Sequence, residues 1–474
     1  MTSLKSIPLA YHIILVLVVS TLAIWQQSKN YEPHMRTGDS YIYLSIAKDF
    51  VDKGMITNGV FGKNFPEKGR NGEGHFFTPV YPVFLSFFMR FDKNFYENAA
   101  CHIASKNGKE AEKCGNDYTS VIIGQTIISA LTAALIWLTA YLLTKNLALS
   151  WLSLLIGILS KVYGQYATEI MTEVLLFPFF TLASLAAALA WQYRDNIKKS
   201  GWLWVLSGIL WGAATLTRPA YSYLIYAGVF FLYVAALFIT KQGIIKSLRY
   251  PVLLLAGFIL CVGPWVLRNG ISSGEYTISE GYGPHVLTQR LAYNDMTWQE
   301  WGASFIYRLP DFGDKLAENL FGKGTYERFD YENKKNGFFY IGHTSFRAQL
   351  IEEAGGRENL MPYIIKNYLL PNLPKHIMTT LSLAFNGIWI GKYWALVVLP
   401  LFGAALIFAW RKNWQELIIL SFPGWFMVGF HAFTSVNVTR YNMTLVPSLS
   451  LAAAWVLMMF FCWLKRKYTK EKTG

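Results

Sequence analysis

Charge is scarce in this chain. Aspartate, glutamate, lysine and arginine together make 15% of its 474 residues, against about a quarter in ordinary soluble domains. A soluble fold of this length needs a far more polar surface, so the water-soluble classes are excluded. Acidic residues are the rarer sign, 29 against 43 basic ones, for a formal charge of +14. That surplus does not indicate a nucleic-acid partner, because the lysines and arginines are spread over loops rather than gathered on one helix face. Also lacking are a Walker loop, an HExxH motif and a DxD motif, so nothing is built to cradle a nucleotide on the basic face of the protein.

Cysteine is sparse too, at four residues. Cys261 and Cys462 fall in apolar runs and read as packing residues. Cys101 and Cys114 share one polar segment, and their separation suits a disulfide closing a small loop in an oxidising compartment, with a metal pair as the alternative.

What the chain has instead is apolar length. Hydrophobic residues make 53% and aromatics 16%. The runs Leu9–Trp25, Thr126–Leu143, Leu175–Trp191, Val252–Val266, Ala395–Trp410 and Val446–Leu464 approach or reach the roughly 20 residues that span a bilayer. The first run has no small-residue cleavage site before Gln26-Gln27-Ser28, so it reads as a retained span rather than a signal peptide. The expected architecture is an all-α polytopic bundle of about ten spans: 9–26, 121–143, 147–165, 170–191, 202–217, 220–240, 250–267, 394–410, 414–433 and 443–464.

Basic residues in short loops orient such a bundle. With Met1 inside, the loops 193–200 and 241–249 (with Lys241), the turn Arg411-Lys412 and the tail Lys465-Arg466-Lys467 all fall on the cytoplasmic side. Counting Ile377–Ile390 as a span would reverse the last two, so it reads as a surface helix. Segments 27–120 and 268–393 are then outside. Within the first, Asp39–Asp52 shows a helical apolar face, and Pro79–Phe91 is apolar but too short to span. Three parts are expected: a module over 1–270, an outer segment over 268–393, and C-terminal spans with a basic tail over 394–474.

Several residues on the outer side are unusual for a membrane surface. Asp39, in Gly38-Asp39-Ser40-Tyr41, is either a helix cap or a carboxylate held as general base. Glu169 reads as a loop acid. Glu173 enters the headgroup region at the start of an apolar run, where acids are costly and are candidates for function; a helix N-terminus also favours such a charge. Arg218 lies in the short turn Leu216-Thr217-Arg218-Pro219, and Arg440 precedes the last span. A lone arginine there can simply snorkel, but two arginines beside two acids suit capture of phosphate. His75, His285 and His343 are also outside, each more in keeping with an ordinary loop residue than with a ligand.

In order, Gly38-Asp39-Ser40-Tyr41-Ile42-Tyr43-Leu44, Thr78-Pro79-Val80-Tyr81-Pro82, Thr172-Glu173, Leu216-Thr217-Arg218-Pro219 and Gly263-Pro264-Trp265 resemble the motifs of the GT-C superfamily of polyprenyl-phosphate-dependent glycosyltransferases. The chain is most similar to the bacterial branch of protein O-mannosyltransferases and lipid A aminoarabinose transferases. Arg440-Tyr441 adds a match near the end. The resemblance implies Asp39 as catalytic base, Glu173 in the second acidic position and Arg218 at the donor phosphate, with Arg440 assisting. His285, shortly after the seventh expected span, lies where some relatives place a donor or metal-site histidine. Glu169, His75 and Tyr81 are further candidates for substrate or metal contact, and Glu173 is expected either to hold the acceptor or to share a divalent cation (magnesium or manganese) with Asp39. Where some relatives carry Glu-Lys-Pro, this chain has Phe77-Thr78-Pro79, without that acidic metal contact or basic donor contact.

The implied activity is inverting transfer of a sugar from a polyprenyl-phosphate donor to an acceptor hydroxyl of a lipid, glycan or protein. The expected setting is the outer face of a bacterial inner membrane, with both termini cytoplasmic and no nucleic acid involved. Trp298, Trp301, Tyr307 and Tyr326 are expected to form a sugar-contacting lid. Two alternatives stay open: a polymerase or ligase using a diphosphate-linked donor, and a lipid or sugar transporter or flippase.

Overall fold

The computed structural model describes residues 8–31, 38–63, 66–105, 113–239, 243–280 and 282–471. Met1 and Lys241, used above to orient the chain, lie outside these ranges. Among the described residues the chain is helical, with no β-strand. Eight helices among the described residues are long and apolar enough to cross a membrane: Leu9–Ser28, Thr119–Thr144, Glu173–Gln192, Pro219–Ile239, Ile244–Ser273, Tyr393–Arg411, Gln415–Thr434 and Thr439–Thr469. The protein is an integral, multi-pass, all-α membrane protein.

In chain order the first helices are α1 (Leu9–Ser28), α2 (Gly38–Lys53), α3 (Val80–Phe91), α4 (Lys93–Ala104), α5 (Thr119–Thr144), α6 (Leu147–Leu159), α7 (Val162–Ala167), α8 (Glu173–Gln192), α9 (Ile197–Thr217), α10 (Ser222–Ile239), α11 (Ile244–Ser247) and α12 (Arg249–Ser273). The expected span 202–217 lies within α9. The expected span 147–165 is not one helix. Asn146 caps α6 by accepting the Leu149 N–H, and α6 stops after 13 residues at Ser160, whose hydroxyl turns back to the Gly157 carbonyl at 2.6 Å. Lys161 then takes a left-handed conformation at φ 59 before α7 begins. At 1.5 Å per residue α6 is about 20 Å long, short of the roughly 30 Å hydrocarbon core.

The chain divides into two compact units, residues 1–280 with 401–423 and 446–474, and residues 281–400 with 424–445. In the first unit, α9 and α12 pack backbone to backbone. A Cβ on Gly208 would stand 2.0 Å from the Leu254 carbonyl oxygen, and one on Gly257 2.0 Å from that of Val205. Small residues let membrane helices approach this closely. A second core joins α2, α3, α4 and α5 to the turn before α8, through Leu44, Tyr81, Leu85, Phe95, Val121 and Ile170. This core fixes the short helices that carry the candidate site. Cys462 is exposed and Cys261 half-buried, so neither is the enclosed packing residue that its apolar run implied.

The second unit is organised around a charge. Arg290 is fully buried and donates to the carbonyls of Ala432 and His376, to Asn294 Oδ1, and to the hydroxyls of Thr379 and Thr380, at 2.7–3.0 Å. Burial lowers its pKa to about 9. The acceptors come from helix Leu373–Gly387 and the end of Gln415–Thr434, so one guanidinium stitches three helices. Leu373–Gly387, 15 residues long, covers most of the segment expected as a surface helix and is too short to span. The aromatic lid is not realised as expected. Tyr307 is buried at 6% exposure, stacked on Phe329 at 4.5 Å, and Trp301 donates its indole N–H to the Met378 carbonyl at 2.9 Å. Tyr326 packs against the same core. Trp298 alone of the four is open, at 73%.

Candidate active site

Two helix ends meet in the first unit. Helix α8 begins at Glu173, where the helix dipole favours an anion. Helix α9 ends at Arg218 because Pro219 follows: a residue before proline is driven out of the helical region, and Arg218 sits extended at φ −144, ψ 110. Its side chain is thereby directed to the acid. Glu173 is completely buried, Arg218 is 18% exposed, and Arg218 Nη1 lies 2.9 Å from Glu173 Oε1. The other carboxylate oxygen lies 3.3 Å from the Thr172 hydroxyl. Phe180 holds the two helices in register, edge-on to Trp211 at 4.8 Å and to Tyr221 at 5.8 Å.

Asp39 lies within the first turn of α2 and is half-buried. It is therefore an acid inside the turn, not the cap preceding the helix that one sequence reading allowed. The helix is seated on the turn leading into α8: the Ser40 hydroxyl lies 3.7 Å from Met171 Sδ, and Tyr43 is edge-on to Tyr81 at 5.3 Å.

Tyr81 is fully enclosed. Its hydroxyl donates to Gln125 Oε1 at 2.8 Å. Gln125 in turn donates to the carbonyls of Ala167 and Glu169, each at 3.0 Å. Burial, then Tyr43 and Glu173, hold the phenol well above its ordinary pKa. Tyr81 thus supports the turn from inside the protein, through Gln125. Gln125 was missed in the sequence; its signal was an amide inside an apolar span. Glu169 is 6% exposed, a buried acid rather than a solvated one, with Oε1 3.4 Å from Gln165 Nε2.

The remaining candidates have neighbours of their own. His75, 1% exposed, faces Glu275 and Glu280. Both glutamates escaped the sequence reading, since nothing in their spacing points to a partner some 200 residues earlier. In the second unit, His285 Nδ1 is 3.5 Å from Arg347 Nη1. Burial, with Arg347, Arg357 and His343 adding, lowers its pKa to about 4, so the imidazole is neutral at physiological pH. His343 Nδ1 pairs with Gln289 Nε2 at 2.8 Å. Arg440 sits in the turn Thr439–Leu445 with its guanidinium 5.3 Å from the Tyr441 ring centre. Cys101 and Cys114 are joined as a disulfide across a separation of 13 residues.

Among the described residues, Asp39 and Glu173 do not belong to a group of three or more potential metal ligands. Glu173 already has a cationic partner in Arg218.

Residues 58–273 match the family described as dolichyl-phosphate-mannose-protein mannosyltransferase. No curated protein sequence matches the chain. Among solved structures, it is similar to an archaeal oligosaccharyltransferase, AglB from Archaeoglobus fulgidus, in complex with an inhibitory peptide and a dolichol-phosphate. That match has 12% identity and a TM-score of 0.46, covering 98% of this chain and 52% of the other. A second Archaeoglobus fulgidus oligosaccharyltransferase structure, a complex with Zn and sulfate, matches at 15% identity and a TM-score of 0.43, covering 95% and 49%. The chain spans about half the length of these two proteins.

Proposed function

We propose, from the match of residues 58–273 to the dolichyl-phosphate-mannose-protein mannosyltransferase family and from the GT-C-like order of the motifs, that this membrane protein transfers a sugar from a polyprenyl-phosphate donor to an acceptor hydroxyl. The observation that carries this reading is the Glu173–Arg218 pair, an acid and a guanidinium held where α8 begins and α9 ends. The matched segment contains both residues; Asp39 and Arg440 lie outside it.

Asp39 takes the proton from the acceptor hydroxyl, and the oxygen attacks the anomeric carbon from the face opposite the phosphate, inverting it. The departing group is a phosphate ester anion, which needs charge neutralisation more than a proton. Arg218 supplies that charge with planar N–H donors suited to phosphate. Glu173 sets the guanidinium's orientation, so that little reorganisation remains when charge develops on the leaving oxygen. The polyprenyl tail stays in the bilayer, since each buried methylene contributes about 0.8 kcal/mol.

An outer-face site is supported by the Cys101–Cys114 disulfide, a bond that persists in oxidising compartments, and by the basic loops assigned to the opposite side. The setting is the outer leaflet of a bacterial inner membrane, with lipid, glycan or protein as acceptor.

The test is incubation of the purified protein in vesicles with a radiolabelled sugar on polyprenyl monophosphate or diphosphate. Transfer from the monophosphate alone is the expected result. Transfer only from the diphosphate identifies a polymerase or ligase. Movement of the intact donor across the vesicle without transfer identifies a flippase.

A further inference from the structure

We propose that His75, Glu275 and Glu280 form a binding site for a divalent transition-metal ion of the zinc class. One ligand atom from each residue falls within a sphere in which all lie within 4.8 Å of one another. His75 Nε2 is 3.2 Å from Glu275 Oε2 and 3.9 Å from Glu280 Oε2. In a tetrahedral site with bonds of 2.0–2.1 Å, ligand atoms stand about 3.3 Å apart. The three atoms are therefore spaced for a common ion with a small inward movement of Glu280.

Two further features set this cluster apart from a chance meeting of surface charges. The first is an unsatisfied acceptor: Glu280 Oε2 is buried and has no hydrogen-bond partner, although it faces an imidazole that is itself 1% exposed. A buried carboxylate oxygen without a donor is costly, and a cation between it and the imidazole removes the cost. The second is the division of the carboxylates. Lys68 Nζ contacts Glu275 Oε1, at 2.9 Å, and Glu280 Oε1, whereas the Oε2 atoms of both residues face His75. The ammonium sits on one side of the pair and leaves the other side to the imidazole. It also offsets one of the two negative charges, so the site is not simply a pair of acids neutralised by lysine.

The backbone on both sides is fixed by groups that are not ligands. Arg268 donates to the carbonyls of Gly74 at 2.8 Å and Ile56 at 3.2 Å. The Gly74 N–H reaches the Ile56 carbonyl at 2.9 Å, and the Glu280 N–H reaches that of His75 at 3.0 Å. Trp265 and Asn269, on the last turns of α12, hold the carbonyls of Ile278 and Thr277 at 2.8 Å. The ligands are thus presented by a preformed frame. One imidazole with two carboxylates suits zinc or manganese better than magnesium or calcium, which prefer all-oxygen shells. Three protein ligands leave a fourth position for water. The ion would tie the loop before α3 to the segment after α12, and this assignment is independent of the transfer reaction.

The test uses full-length protein without a polyhistidine tag, stripped with chelator and titrated with Zn²⁺ alone. One ion per chain is expected, and Co²⁺ in its place should give the visible absorption of a low-coordinate nitrogen–oxygen site that Zn²⁺ abolishes. Glu280→Gln, nearly isosteric, should weaken zinc by at least the roughly 10–100-fold that follows even an outer-shell change. Lys68→Gln, at an exposed residue, should bind zinc at least as tightly as the parent. Absence of a bound ion and of the cobalt spectrum in the parent protein would overturn the proposal, and so would equal zinc affinity in Glu280→Gln. Preference for Mg²⁺ or Ca²⁺ over Zn²⁺ would overturn the metal class.

Discussion

Glu173, fully enclosed, holds Arg218 at 2.9 Å across 45 residues of sequence, while the arginine keeps 18% of its side-chain surface open. The pair faces two ways: its acid belongs to the interior and its base reaches the surface. Removing the base is therefore expected to do two separable things. Arg218→Ala strands a buried carboxylate, which costs roughly 3–5 kcal/mol, and also removes the proposed phosphate contact. Pairing it with Glu173→Gln should recover much of the stability and none of the activity. Arg218→Lys should restore activity only in part, since a point charge cannot form the planar fork. Thermal unfolding in detergent beside turnover measures both; a fully active double variant would reduce Arg218 to an anchor.

Tyr81 has the opposite character. Its hydroxyl meets Gln125 inside the protein, so Tyr81→Phe leaves a buried amide oxygen without its donor. A loss of about 1–3 kcal/mol in stability is expected, with turnover of the folded fraction close to the parent's. A selective fall in turnover at unchanged stability would make Tyr81 a substrate contact after all.

Two histidines of the second unit carry a pH dependence. Burial lowers His285 and His376 to about 4, below the unfolded value near 6.5. The unfolded state thus binds more protons between those values. The stability each contributes is complete above about 6.5 and falls as pH drops toward 4. Limited proteolysis at Trp298-proximal sites, scanned from pH 7 to pH 4, should show accelerating cleavage. His376→Asn should flatten the profile, and an unchanged profile would count against a buried neutral His376.

Sidedness can be read by labelling. Asn71 is exposed but left-handed at φ 64, a conformation that asparagine tolerates better than cysteine. Arg70, exposed beside it, is the sounder site. Arg70→Cys should react with an impermeant maleimide in spheroplasts, and non-reducing peptide mapping should recover Cys101 and Cys114 joined. Labelling only after membrane lysis would place the first segment in the cytoplasm.

Much of the fold was legible because periodicity and apolar length act locally. Asp39–Asp52 anticipated Gly38–Lys53, and Pro79–Phe91 anticipated Val80–Phe91. The break in 147–165 was missed because apolarity continues past it, although Lys161 inside the run was a signal. Within the site, the acids and arginines stood out as charges in the wrong solvent. Gln125 did not, and outside the site neither did Glu275, Glu280 and Arg290, because their main partners lie far off in sequence. Tyr307 was misread because a buried and a sugar-facing aromatic look alike until packing is known.

Asp39→Asn tests most directly the proposed sugar transfer driven by a carboxylate on α2. Asp39 lies inside the first turn, where losing a charge costs about 0.3–1 kcal/mol, so the variant should insert, purify and bind donor normally. Its rate of sugar transfer from the polyprenyl monophosphate donor should fall by about 10²–10⁴-fold, because an amide cannot accept the acceptor's proton. A folded Asp39→Asn protein transferring sugar at the parent rate would contradict the mechanism.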